Sequence, residues 1–219
     1  LLGFCGSRGV AVSFFSEQGR FLARVDGPVH GNVLLRRQQY RMADDAAASA
    51  KIARSVLIAK IANSRRVLLR FLRDNEGADA SSRKKVENAV MYLEGVMRDM
   101  TEGRTLDELR GLEGDAARHY FDVFNELIVA QKDSFKFADR NRRPPTDMVN
   151  AVLSYVYSLL AHDTASALEG TGLDPAVGYL HRVRPGRPSL ALDLMEEFRS
   201  WLADRLVLSM INLKQLKPS

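Results

Sequence analysis

Apolar residues return at helical spacing along most of this chain. Between positions 57 and 72, Leu57, Ile61, Leu68 and Leu72 fall on one face of a helix, with Arg66, Arg70 and Arg73 opposite. Lys60 and Arg54 lie on the flanks of that stripe, where a long side chain can rest its methylenes on apolar surface and direct its charge outward or into a cleft. The same periodicity predicts helices over about 33–40, 43–74, 83–101, 113–132, 147–168 and 189–213. Residues 10–26, "VAVSFFSEQGRFLARVD", read differently, as two β-rich runs divided by a hairpin turn at Gln18-Gly19. "DGPVHG" at 26–31 then breaks the pattern. "TLDE" at 105–108 is a capping-box sequence for a short helix, and Pro144-Pro145 followed by Thr146 and Asp147 marks a helix start. The pattern predicts a mainly α fold, with a helical domain preceded by the tail of a β region.

Composition narrows the class. With 219 residues, 46% hydrophobic and 27% charged, the chain can bury a substantial core as a globular protein, and no run approaches the length of a membrane span. The single cysteine, Cys5, excludes an internal disulfide framework and a thiolate zinc site, and fits a cytoplasmic setting. The chain starts at Leu1, inside a strand-and-turn region, and is expected to be part of a longer protein. Its net charge of +5 is concentrated: Lys51, Arg54, Lys60, Arg65, Arg66, Arg70 and Arg73 stand within 46–73 with no acid among them. Such a patch points to a polyanionic partner.

Three features could carry chemistry, and each has a plain structural reading beside it. In "LEGDAARHYFDVF", Glu113 opens the predicted 113–132 helix on the face of Ala117, Tyr120, Phe124 and Ile128. It either sits in a first turn that favours an anion or points a carboxylate into a protected cleft. On the last helix Asp193, Glu196, Glu197, Ser200 and Asp204 share one side, with Leu194, Phe198, Leu202 and Arg205 turned away. That is a solvated acidic stripe, or a pair, Asp193 and Glu196, converging on one ion. His181 follows the bent "GLDPAVG" segment and is either a structural histidine or a ligand. Taken jointly, one glutamate, one histidine and one or two further carboxylates suit Mn²⁺ or Mg²⁺. Arg142, Arg143, Arg182, Arg184, Arg187 and Arg199 could hold phosphates beside such an ion, which describes phosphodiester chemistry. No nucleophile elbow, Walker loop or dinucleotide fingerprint is present, and a His162-Asp163 doublet would need partners from His30 and His119.

Five segments in order, "GNVLLRRQQY" at 31, "KIANSRRVL" at 60, "LEGDAARHYF" at 112, "RNRRPPTDMVNAVLSYVYSLL" at 140 and "GLDPAVGYLHRVRPGRPSLALDLMEEFR" at 172, resemble the CRISPR-associated endonuclease-integrase, the core subunit of spacer acquisition. The spacing and the "SLALDLMEEFR" wording look more like the branch found with type I-C systems. The resemblance implies the end of an N-terminal β domain and linker at 1–30 and an α-helical metal-dependent catalytic domain at 31–219. It implies that Glu113, His181 and Asp193 ligate Mn²⁺ or Mg²⁺, and that Glu196 takes the place of an additional catalytic acid. Lys60, Arg65, Arg66, Arg142, Arg143, Arg184, Arg187 and Arg199 are then the expected DNA-binding residues. The implied partners are double-stranded DNA (prespacer and CRISPR repeat), a second copy in a homodimer, a small ferredoxin-like subunit and, as a further candidate, an end-trimming nuclease. The implied reaction is transesterification by a DNA 3′-hydroxyl. The contrasting expectation is a non-catalytic helical nucleic-acid-binding or assembly module, in which Glu113 and Asp193 are ordinary surface residues.

Overall fold

The structure, a computed structural model, describes residues 1–17, 21–25, 27, 33–141 and 144–218. Its elements are α1 (Leu2–Ser7), β1 (Val12–Phe15), β2 (Phe21–Val25), α2 (Val33–Asp44), α3 (Ala46–Asp74), α4 (Ala80–Asp99), α5 (Leu106–Asp122), a 3₁₀ turn (Phe124–Leu127), α6 (Met148–Gly170), α7 (Ser189–Phe198), a π-helical turn (Arg199–Asp204) and α8 (Arg205–Asn212). The mainly α expectation is borne out. β1 and β2 pair antiparallel, Val12 opposite Val25, with a bulge between Phe14 and Phe15. The expected turn at Gln18-Gly19 lies outside the described residues. Among the described residues no helix is long and apolar enough to cross a membrane.

The chain divides into two compact units. The first comprises Leu1–Ile52 and Ser158–Met195. Ala165 and Leu168 of α6 pack with Leu190 and Ala191 of α7, and Leu173, Tyr179 and Leu194 cover them. Gln39, buried on α2, clamps the loop after α6 with all of its amide chemistry. Its Nε2 donates to the carbonyls of Asp174 (2.7 Å) and Val177 (2.9 Å), and its Oε1 accepts from the Asp174 amide (2.9 Å). The Tyr40 hydroxyl donates to the Asp174 carboxylate at 2.8 Å. The "RRQQY" segment thus holds the loop that carries His181.

The second unit comprises Ala53–Tyr157 and Glu196–Ser219. The stripe read from α3 is its centre: Leu57, Ile61 and Leu68 are fully buried, with Leu93, Leu109, Phe124, Leu153 and Ile211 from other elements, while Arg66, Arg70 and Arg73 are exposed. α5 departs from expectation at both ends. Thr105 caps it, its hydroxyl accepting from the Glu108 amide while the Glu108 carboxylate accepts from the Thr105 amide, so the capping box opens the same helix that carries Glu113. Glu113 is therefore in the helix interior and owes nothing to a first-turn dipole. The helix also stops at Asp122, short of the expected 132. Beyond it the chain tightens into the 3₁₀ turn and becomes extended at Ile128, where Asn212 Oδ1 accepts from the amides of Val129 (2.9 Å) and Ala130 (3.2 Å).

Candidate functional site

The acidic side of α7 and the π turn is not solvated. Asp193, Glu196, Ser200 and Asp204 are 2%, 3%, 2% and 1% exposed, whereas Phe198, Trp201, Leu202 and Leu206 face solvent. The acids are buried together with Ala191, Met195 and Ala203 of the same segment, and the solvated-stripe reading is overturned. A buried carboxylate costs several kcal/mol unless charges and donors surround it. Each of these three has such surroundings, supplied by residues distant in sequence.

In the first unit the 172–188 loop wraps around Asp193. Its Oδ2 accepts from the amides of Tyr179 (2.6 Å) and Leu180 (2.9 Å), and its Oδ1 accepts from the amide of His181 (2.9 Å). The same Oδ1 stands 2.6 Å from His181 Nδ1. Three successive amides converging on one carboxylate require the backbone to pass very close to α7, and Gly178 permits it. A Cβ there would lie 2.7 Å from Asp193 Oδ2 and 2.7 Å from the Ser189 carbonyl carbon. The Pro175 carbonyl accepts from the Leu190 amide at 2.9 Å, tying the loop to the first turn of α7. Asp193 thereby fixes both the loop and the orientation of the His181 ring. The Tyr179 phenol is pushed above its ordinary range by burial and, secondarily, by the Asp193 charge.

In the second unit the Lys60 ammonium lies between two carboxylates, bonding Glu113 and standing 2.6 Å from Glu196 Oε2. Glu196 Oε1 is 2.9 Å from Arg199 Nη1. The Arg199 guanidinium lies 5.4 Å from the centroid of the Tyr157 ring, and Arg140 lies 5.2 Å from the same centroid. Tyr157 donates its hydroxyl to Asp204 Oδ1 (2.6 Å), and Tyr120 donates to Asp204 Oδ2 (3.0 Å). Burial pushes the Asp204 carboxyl up to about 6, against the lowering effects of the two tyrosine hydroxyls, Arg199 and Arg140. Burial, followed by the Asp204 charge, drives both phenols well above their ordinary value. A cavity of about 60 Å³, room for a few water molecules, is bordered by Lys60, Glu113, Tyr120, Tyr157, Arg199 and Asp204.

The expected site residues are thus distributed as follows. His181 meets Asp193, and Glu113 meets Glu196 through Lys60. Among the described residues, no three His, Cys, Asp or Glu side chains form a group placed to hold a metal ion. Lys60 and Arg199, expected on DNA, are largely buried on acidic partners. Arg65 pairs with Glu94 at 2.9 Å, Arg66 and Arg184 are exposed, and Arg187 is half-buried. Arg142 and Arg143 lie outside the described residues, as does His30. The His162 ring sits edge-on to Phe15, its pKa lowered by burial and then by Arg24. His119 stacks on Tyr92. Sequence reasoning missed Tyr157 and treated Asp204 as one more acid of the stripe. Its only local signal was a run of buried-type spacing, 196, 200 and 204, continuing from Glu196.

Comparison with known proteins agrees with the five segments. The family described as CRISPR associated protein Cas1 matches residues 1–219. The CRISPR-associated endonuclease Cas1 1 of Chlorobaculum tepidum is 53% identical over 216 residues, 99% of this chain and 62% of that protein. A casposase bound to integration product superposes with a TM-score of 0.77 at 26% identity, over 99% of this chain and 57% of that one. A Cas6-RT-Cas1–Cas2 complex contains a chain that superposes at 0.78 and 28% identity, over 97% of this chain and 22% of that one. The chain spans about three fifths of the length of the curated relatives it matches. With the whole of its length matched, and with more than half its residues shared with a named relative, the chain belongs to the Cas1 family of CRISPR-associated proteins.

Proposed function

We propose that this chain is the catalytic part of a divalent-metal-dependent DNA endonuclease-integrase that joins prespacer DNA to a CRISPR repeat. The observation that carries the reading is the pair of carboxylates, Glu113 and Glu196, facing one ammonium, in a Cas1-family chain where Asp193 holds a histidine ring in a fixed orientation. The donor types fit Mn²⁺ or Mg²⁺: hard oxygens from carboxylates and one imidazole. Glu113, His181 and Glu196 are the proposed ligands. Asp193, whose oxygens already accept four contacts, stands behind His181 as the carboxylate that orients a ligating ring, a modification of the ligand set the resemblance implied. When bound, the ion would lower the pKa of an attacking hydroxyl and offset charge at the phosphorus.

The reaction is an exchange of phosphodiesters. The 3′-oxygen of one strand bonds to phosphorus, the existing bond from phosphorus to the target 3′-oxygen breaks, and the proton lost by the first oxygen is regained by the second. No protein nucleophile takes part. Arg66 and Arg184, exposed, are the first candidates to grip the DNA backbone. A homodimer and a Cas2-type subunit are the proposed partners, and the type I-C branch is the proposed setting.

The test uses the complete parent protein and a branched DNA that mimics a half-integrated spacer. Rejoining of the target strand is followed with Mn²⁺ or with EDTA, in wild type, Glu113→Ala and Glu196→Gln. Rejoining that needs Mn²⁺ and vanishes in both variants, with DNA still bound, is the expected result. Equal behaviour of all three proteins would leave a helical DNA-binding module.

A further inference from the structure

Asp204 is a buried acid to which the reaction above assigns no part. We propose that Asp204 is a positioning residue for strand joining, acting through Tyr157 to hold Arg199, and with it the Glu196 carboxylate, in one arrangement. The proposal deepens the integrase reading and rests on it.

The Tyr157 ring is fixed at three points. Its hydroxyl is anchored on Asp204 Oδ1 at 2.6 Å, and its neighbours Arg140 and Arg199 each bring a guanidinium within 5.5 Å of its centroid. Arg140 is itself tied down, donating to Asn150 Oδ1 (2.7 Å) and Ser154 Oγ (3.2 Å). These contacts restrain the ring, and it offers Arg199 a flat surface to lie against. From that surface Arg199 reaches Glu196 Oε1 at 2.9 Å, so Glu196 has one oxygen toward an arginine and the other toward Lys60. The second Asp204 oxygen is occupied by Tyr120, a residue of α5, the helix that carries Glu113. Asp204 thus joins α5, α6 and the π turn at the floor of the cavity that Lys60 and Glu113 border.

Folding alone does not call for an acid at this position. Burial of the carboxyl, with its acidity weakened accordingly, works against the native state, and a neutral residue of similar shape would relieve that cost. The groups facing it are Tyr120 from α5, Tyr157 from α6, Arg140 from the segment before α6 and Arg199 from the π turn. The charged form is the one that can accept both phenol hydrogens and balance the two guanidiniums.

The experiment uses full-length parent protein carrying Asp204→Asn or Tyr157→Phe. For Asp204→Asn, kcat of Mn²⁺-dependent rejoining is expected to fall by about 10–100-fold, the range for residues that orient metal ligands. KM for the branched DNA should stay within about twofold. The acid limb of the kcat profile should lie at lower pH in the variant than in wild type. Tyr157→Phe keeps the ring and loses the anchor, and should fall in the same direction. A wild-type kcat and an unchanged acid limb in Asp204→Asn would overturn the proposal. So would an activity loss that merely tracks loss of folded protein. Should wild type itself fail to rejoin DNA with Mn²⁺, the integrase reading fails separately. The positioning claim is then decided by crystal structures of wild type and Asp204→Asn: an unmoved Arg199 sinks it, and an Arg199 displaced from the Tyr157 ring sustains it.

Discussion

Replacing Asp193 by asparagine removes one charge and exchanges one oxygen for a donor, while shape is kept. The consequences can be worked out from its four contacts. With the amide oxygen toward Tyr179 and Leu180, those two bonds survive but lose their charge assistance, about 1 kcal/mol each. The amide nitrogen then faces the His181 amide, leaving a buried donor unsatisfied at a cost of about 1–3 kcal/mol. With the amide turned over, two donors lose their acceptor instead. Either way the loop around Asp193 loosens by about 3–5 kcal/mol, so Asp193→Asn is a loop-destabilising change and not the surface change that the non-catalytic reading expects. In the first orientation His181 Nδ1 must also become an acceptor, which moves its proton to the other ring nitrogen and spoils it as a ligand. Hydrogen exchange of the parent protein checks this directly. The amides of Tyr179, Leu180 and His181 should exchange about 10²–10⁴-fold faster in the variant, the rate ratio that such an energy implies. Less than a threefold change at all three would refute the account of Asp193 as the anchor of the loop.

Other expectations follow from the same geometry. Lys60→Met leaves Glu113 and Glu196 facing each other without their shared cation, and should lower stability in EDTA by about 2 kcal/mol or more. Added Mn²⁺ should raise the melting temperature of this variant more than that of wild type, read by calorimetry. Gly178→Ala puts a methyl group 2.7 Å from Asp193 Oδ2 and from the Ser189 backbone, and overpacking of that kind costs about 1–3 kcal/mol in a urea titration. The raised pKa of Asp204 means that the folded protein binds this proton more tightly than the unfolded chain does. Its contribution is fully present below about pH 4 and is lost as pH rises through about 6, amounting to about 3 kcal/mol. Relative to wild type, Asp204→Asn should therefore gain stability between pH 4 and pH 7.5, and unfolding titrations at the two pH values measure the difference.

Local pattern was informative wherever partners lie one or two helical turns apart. The Leu57, Ile61 and Leu68 stripe, the Thr105–Glu108 cap and the strand runs 12–15 and 21–25 could all be read this way. Pattern misled where burial depends on contacts across the chain. Asp193, Glu196 and Asp204 look like a wetted face because nothing adjacent announces the amides of 179–181, the Lys60 ammonium or the phenols of Tyr120 and Tyr157. The position of Glu113 was recoverable. A capping box followed by Leu106, Leu109 and Leu112 already describes a helix running into the glutamate, and separating the two put Glu113 at a terminus it does not occupy. The short α1 has two glycines in six residues and no side-chain cap, so neither propensity nor punctuation marks it.

The π turn between Arg199 and Asp204 bears on which sequence changes this region can absorb. An α-helix advances about 100° per residue, so positions four apart drift steadily around its surface, whereas a wider turn accommodates an extra residue and undoes the drift. That is how Glu196, Ser200 and Asp204 all stay buried. Substitutions at the exposed Trp201 or Leu202 leave this register intact. Deleting either one would let the turn close to ordinary α geometry, which takes up the missing residue and keeps the following helix in register, whereas inserting one would rotate Asp204 by about 100° and leave the hydroxyls of Tyr120 and Tyr157 without their acceptor. The stretch should therefore be permissive to exchange of side chains and to the loss of one residue, and intolerant of a gain.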